Sequence, residues 1–279
     1  MNNKIAAAAA GSALLACALA APAYANDCNH TTHRTANSAG PDIKRVVVEA
    51  GAGDLVVRGG ESRDVKVDGR ACASTAELLE QIKLEIRRDG DTVYLRTVLP
   101  DISDGLFGFS RYAYIDVTVD VPKTATLKVD DSSGDLRVSD VQGATISDSS
   151  GDQTLEHIAG DLDVSDSSGE INITEVNGGL RLRDSSGDVD VNGVQGDVVV
   201  TVDTSGDLDI SHVTGGVHIM NDSSGDIEVQ DVKRDVIIDE DSSGGIAVRD
   251  VGGNFTVGSD SSGGIHYDRV AGTVHLPSD

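Results

Sequence analysis

Apolar and polar residues alternate along most of the chain, and every nine or ten residues a glycine-centred turn interrupts the alternation. Asp-Ser-Ser-Gly, or a close variant, recurs with its glycine at 134, 151, 169, 187, 206, 225, 244 and 263, in steps of 17, 18, 18, 19, 19, 19 and 19. Nine residues after each comes a second turn, at Gly143, Gly160, Gly178, Gly196, Gly215, Arg234, Gly253 and Gly272. That half of the repeat never changes length, so the drift in period lies in the other half. Apolar residues fall two, four and seven places after the first glycine: Leu136, Val138 and Val141, then Ile171, Ile173 and Val176, then Val189, Val191 and Val194. The other half adds pairs such as Leu162 and Val164, or Leu180 and Leu182. Spacing by two predicts short strands with one face inward, and a fixed period of this size predicts a solenoid.

The fold class expected is therefore all-β: a parallel β-solenoid of about 18 to 19 residues per rung. An antiparallel β meander is the rival. It would leave a broad aliphatic face bare unless it closed on itself, whereas a coil packs its two sheets together. An outer-membrane barrel is excluded, because five or six strand residues per half-repeat fall short of the roughly 9 to 11 that spanning requires.

Residues 26–129 read as a divergent cap and irregular first rungs, continuous with the regular array at 130–279. Val46 and Val48, Gly53 to Val57, and Val65-Lys66-Val67 look like early rungs. Ser74-Thr75-Ala76-Glu77 is a capping box for one short helix. Ile82, Leu84 and Ile86 pair with Val93 and Leu95 in a hairpin about Arg88-Asp89-Gly90-Asp91. Residues 100–111 form a loop, and Ala113 to Val121 alternate into the array. A cap is needed because a terminal coil would expose an unpaired strand edge.

Ahead of the cap, Lys4 precedes the apolar stretch Ile5 to Ala21, then Pro22 and Ala23-Tyr24-Ala25. This predicts a secretory signal at residues 1–25, cleaved before Asn26, and hence an exported protein, periplasmic or at the cell surface. In a rival reading Leu14-Leu15-Ala16-Cys17 is a lipobox and Cys17 is acylated. No apolar run long enough to span a membrane follows. Cys28 and Cys72 remain as an even pair in an oxidising compartment, so a disulfide is expected. A metal cluster from Cys28, His30 and His33 lacks a nearby fourth ligand.

Composition sharpens this picture. The chain has 279 residues, only 3% aromatics, no Trp and 32 Gly, so the core must be built from Val, Ile and Leu. The net charge is −25, which disfavours nucleic acid as a partner. Residues 130–279 hold 31 acidic and 7 basic residues, a net of −24, so nearly all the acidity sits in the array. Two readings compete for Asp148, Asp166, Asp184, Asp203, Asp222, Asp241 and Asp260. In the favoured one each Asp opens a turn and accepts backbone N–H groups while Gly supplies the positive φ. In the other, stacked carboxylates, Ser hydroxyls and turn carbonyls bind Ca²⁺. The calcium-binding nonapeptide roll shares a period of twice nine, but its G-G-x-G-x-D pattern is absent here. Longer rungs insert a residue just before the Asp, as in Val200-Thr201-Val202-Asp203 against Val164-Ser165-Asp166. Strand parity would flip the side chain, so the turn fixes it.

Val46-Val47-Val48-Glu49-Ala50-Gly51-Ala52-Gly53-Asp54-Leu55, then Ile115-Asp116-Val117-Thr118-Val119-Asp120-Val121-Pro122, and the repeated Asp-Ser-Ser-Gly-Asp units carry a family resemblance. The chain resembles the bacterial putative-adhesin family of unknown function, DUF4097, over nearly its whole length after residue 25. The resemblance implies a β-solenoid on an exported protein and brings no catalytic residues with it.

Parallel solenoids include polysaccharide lyases and hydrolases, so an enzyme is a third possibility for this chain. The array has few basic residues, no Trp for sugar stacking and short uniform turns. His157, His212, His218, His266 and His275 read as sharing no repeat position, and no G-x-S-x-G nucleophile elbow occurs. Gly51-Ala52-Gly53 lacks the third glycine of a dinucleotide site. Five aromatics cluster between Tyr94 and Tyr114. Of these, Phe107, Phe109, Tyr112 and Tyr114 read either as a plug for the open coil end or as a partner patch. The expected function is a non-catalytic exported solenoid without cofactor, an adhesin-like or structural surface facing a protein or cell-surface component. A calcium-binding structural module is the alternative, and a carbohydrate-active enzyme the third choice.

Overall fold

Two short strands and two turns make each rung of the array, and about eight such rungs stack into a coil. The structure, a computed structural model, describes residues 28–40, 42–102 and 111–278. The expected signal at residues 1–25 with Cys17, and Phe107 and Phe109, lie outside the described residues.

The strands form two sheets of 12 that face each other. In the first sheet Ile171, Val189, Leu208, Ile227 and Ile246 stand in one parallel register, each on its equivalent in the next rung. In the second, Leu162, Leu180, Val198, Val217 and Val236 do the same. These columns are buried and make one continuous aliphatic core. Each such side chain contributes roughly 1.5–3 kcal/mol by leaving water. The ladders are parallel throughout the array, so the chain is a β-solenoid and the antiparallel meander is excluded.

Lengthening of the rung is absorbed locally. Between Leu182 and Arg183 the register shifts, so that Arg183 pairs with Val202. The skipped Thr201 donates its hydroxyl to the Leu182 carbonyl at 3.0 Å. A bulge thus resets the strand phase and keeps Asp203 on the same side as its counterparts. At the other turn, the residue six places after each glycine has a positive φ: Asp140, His157, Glu175, Gly193, His212, Asp231, Asp250 and Arg269. His157 and His212 therefore do share a repeat position, which corrects the sequence reading. His218 and His275 share another, three places after Gly215 and Gly272.

The cap departs further from the sequence reading. Its elements are β1 (His30–Ser38), β2 (Arg45–Glu49), β3 (Leu55–Gly60), β4 (Val65–Ala73), α1 (Ala76–Gln81), β5 (Lys83–Asp89), β6 (Thr92–Val98) and β7 (Ala113–Pro122), after which β8 (Thr126–Asp130) and β9 (Leu136–Ser139) open the array. β3 lies between β7 and β9, and β2 lies between β6 and β8. The rung that comes first in the chain is therefore second in the stack. Val65-Lys66-Val67 is not an early rung, because β4 runs antiparallel to both β1 and β7. β5 and β6 form the expected hairpin. The helix is capped one residue later than the capping box implies, with Thr75 Oγ1 accepting from Leu78 N at 3.3 Å. Antiparallel strands thus close the N-terminal end, where a coil edge would otherwise be open.

Cys28 and Cys72 are bonded, with Cα atoms 5.8 Å apart and a separation of 44 positions in sequence. In the chain-entropy picture this crosslink is worth up to about 4 kcal/mol. Changing both residues to Ser is expected to lower the melting temperature of the oxidised protein, and reductant should lower the parent to match. Two free thiols in mature material by mass spectrometry, or identical melts, would contradict this.

Candidate functional site

Asp131, Asp148, Asp166, Asp184, Asp203, Asp222 and Asp241 stand at or one residue beyond the ends of their strands with the side chain turned into the coil, and each is at most 4% exposed. Asp260, in the last turn of the kind, is half-buried. The acidic ladder is thus an internal column. Its carboxylates accept turn N–H groups: Asp131 from Ser132 at 2.8 Å, Asp148 from Ser149 at 2.7 Å, Asp241 from Ser243 at 3.1 Å. Ser185 and Ser186 N–H groups oppose part of the rise in the Asp184 pKa, yet neither Asp184 oxygen has a bond of standard length. Both carboxyl oxygens of Asp166, Asp203 and Asp222 also lack one. Burial, more than any neighbour, pushes Asp131 and Asp222 up to about 7 and Asp166, Asp184 and Asp203 up to about 6.

The other motif residues have separate tasks. From Ser150 onward the second Ser of each motif donates its hydroxyl to a carbonyl one rung back, as Ser168 does to Ser149 at 3.2 Å and Ser243 to Ser223 at 3.1 Å. These hydroxyls stitch rungs together and do not point at the carboxylates, which removes one group of donors from the calcium reading. Among the described residues, no three His, Cys, Asp or Glu side chains are grouped to hold a metal ion.

Two further ladders escaped the sequence reading. Just after six of the eight turn glycines stands an acidic residue, and along this ladder a carboxylate Oδ1 accepts the N–H one rung on: Asp207 N to Asp188 at 3.0 Å, Asp226 N to Asp207 at 2.9 Å, Gly245 N to Asp226 at 2.7 Å. At the other turn Asp161, Asp197 and Asp235 accept from Gly179, Gly216 and Asn254 at 2.9, 2.8 and 2.6 Å. The signal was in plain view, since an Asp or Glu follows the glycine at 135, 152, 170, 188, 207 and 226. Exposed carboxylates one strand spacing apart repel by under about 1 kcal/mol per pair in water. Each charge-assisted bond to N–H offsets that.

Between these ladders, the outer face of the first sheet carries two rows of polar side chains. Asp190, Asp209 and Glu228 form one, and Asn192, Ser211 and Gln230 the other. They line a shallow depression of about 280 Å³. A second, of about 260 Å³, lies over Asp54, Asp135, Arg137, Asp152, Thr154 and Asn172.

The family model described as Toastrack DUF4097 matches residues 43–262. The chain belongs to the Toastrack family. No curated protein matches it. Among solved structures, a "putative adhesin" from Parabacteroides distasonis aligns with a TM-score of 0.52 at 14% identity, covering 89% of this chain and 97% of that one. A "putative lipid binding protein" from the same species has a TM-score of 0.49 at 15% identity, over 88% and 97% of the two chains. A "putative adhesin" from Parabacteroides merdae gives 0.46 at 11%, over 89% and 96%. At 14% identity the first of these shows a shared fold and nothing beyond it. Among the described residues of this Toastrack chain no helix is long and apolar enough to cross a membrane.

The described part of the aromatic cluster belongs to the cap. Tyr112 and Tyr114 are half-buried with ring centroids 6.3 Å apart, and Asn29 N donates to the Tyr112 hydroxyl at 3.1 Å. Burial raises the Tyr114 hydroxyl above its ordinary value.

Proposed function

We propose that this Toastrack protein is a non-catalytic, exported solenoid whose outer faces serve as an adhesin-like interaction or structural surface of the bacterial cell envelope. Residues 1–25 act as its export signal, 26–129 as its cap and 130–279 as the interaction array. The observation that carries the reading is the two-row face, where Asp190, Asp209 and Glu228 repeat beside Asn192, Ser211 and Gln230 on successive rungs. A row of like groups at strand spacing, about 4.8 Å, suits an extended partner with repeating polar or basic groups better than a single small molecule. The adhesin names given to structures of the same fold agree with it.

Fractionation of native cells with crosslinking tests both halves of the proposal. Processed protein is expected in the envelope or the medium, with crosslinked partners lost when Asp190, Asp209 and Glu228 become Asn, Asn and Gln. Unprocessed cytoplasmic protein would remove the export claim. Partners retained by the triple variant would remove this face.

A further inference from the structure

The ladders on the outside of the coil hold their charge against water and backbone N–H groups, whereas the inner column has neither in sufficient supply. Asp203 stands on Asp222, Asp222 on Asp241 and Asp241 on Asp260 in adjacent rungs. The charges that act on the column are acidic throughout: Asp148 and Asp54 on Asp131, Asp148 and Asp184 on Asp166, Asp203 on Asp184, Asp188 on Asp203, Asp203 and Asp241 on Asp222, and Asp260 on Asp241. No Lys, Arg or His enters that set. Gln153, fully buried with both amide atoms unpartnered, faces Asp166.

A carboxylate taken from water without a partner costs several kcal/mol, and a stack of seven multiplies the cost. A proton on alternate members removes half the charges and turns each protonated carboxyl into a donor for the free oxygen of its neighbour. Asp222 and Asp241 stand opposite each other in adjacent rungs, and both Asp222 oxygens and Asp241 Oδ2 are buried without a hydrogen bond, so a proton shared between the two carboxyls would satisfy them. We propose that the inner aspartates form a proton-holding file along the coil, whose carboxyl-to-carboxylate bonds join the rungs at neutral and mildly acidic pH and are lost as the pH rises.

The sign follows from the direction of the shifts. Burial raises these groups from about 3.9 in the unfolded chain toward 6 or 7 in the folded one. Their contribution to stability is complete below the unfolded value and disappears as the pH passes through 6 to 7. Repulsion among the exposed charges of the array has the same sign, but salt screens it, whereas the buried file is screened far less.

Melting temperature measured from pH 5 to pH 8 in chelator, at low and high salt, tests the proposal. The parent is expected to lose several degrees across that range at both salt concentrations. Asp203→Asn and Asp222→Asn supply a neutral donor in the same shape, so each should melt above the parent at pH 8 and lose that advantage by pH 5. Asp207→Asn, on an exposed ladder, should leave the pH profile unchanged. Asn variants that melt below the parent at pH 8, or a parent profile flattened by salt, would overturn the file. If the variants fail to fold, infrared spectra of the parent decide: a protonated-carboxyl band present at pH 7 and abolished by unfolding is expected, and its absence sinks the proposal. Loss of that band with Ca²⁺ but not Mg²⁺ at matched ionic strength would assign the column to metal instead.

Discussion

Gly206→Ala is expected to destabilise the protein by about 2 to 6 kcal/mol, read from denaturant unfolding. Gly206 has φ 127°, and a methyl group there would collide with the Gly187 carbonyl oxygen of the rung beneath. That backbone cannot withdraw easily, since Gly187 N is bonded to Ser205 O at 3.0 Å and Gly206 N to Ser224 O at 3.2 Å. A forbidden conformation costs about 1–3 kcal/mol, and overpacking a site with no room costs a similar 1–3 kcal/mol. Gly90→Ala separates the two contributions. Gly90 sits in the β5–β6 hairpin at φ 59° with open space around it, so only the conformational cost of about 1 to 2 kcal/mol applies. A Gly206→Ala loss no greater than that of Gly90→Ala would mean that the glycine column is not held by close approach between rungs.

Phe255→Ala is expected to cost about 3–5 kcal/mol, but only at one end of the molecule. Phe255 is fully buried, its ring lies 6.1 Å from Tyr267, and its strand pairs with Val236 on one side and Val274 on the other. It is the one aromatic side chain in the core among the described residues, which Val, Ile and Leu otherwise fill. A solenoid couples each rung to its neighbours alone, so damage near the last rungs should fray them without melting the centre. Hydrogen exchange should show lost protection from about Ile246 to His275, with Ile171 to Val202 unaffected. Uniform loss of protection along the array would show that the coil unfolds as a single unit.

The parallel coil was legible because its evidence is arithmetic: a fixed half-repeat, alternation by two, and glycines in register. The depth of the Asp column was legible as well, though the sequence reading left it undrawn. In the shorter rungs Asp148, Asp166 and Asp184 stand two places after the inward Ile146, Val164 and Leu182, so strand parity alone puts them inside. Charged residues ordinarily face water, and that rule fails where turn N–H groups and protons stand in for solvent. The order of the cap strands could not be read. Val46, Val48, Leu55 and Val57 show which face is inward, but in–out alternation is silent about which strand lies alongside. β1 was hidden for another reason: His30–Ser38 has almost no apolar residues, and it takes its place by main-chain pairing with β4.

The interleaved cap has a mechanical consequence once the Cys28–Cys72 bond is taken with it. Tension applied ahead of Cys28 passes through the disulfide to the end of β4, so β1, β2 and β3 lie in a covalent loop that carries no load. Within that loop, β2 and β3 are wedged between the rungs made by β6 with β7 and by β8 with β9. The strands that fasten the cap to the array are thus sheltered from the pull. At the opposite end of the described residues, Ile265–Val270 and Val274–His275 are each paired on a single side, and a pull there should detach rungs one after another.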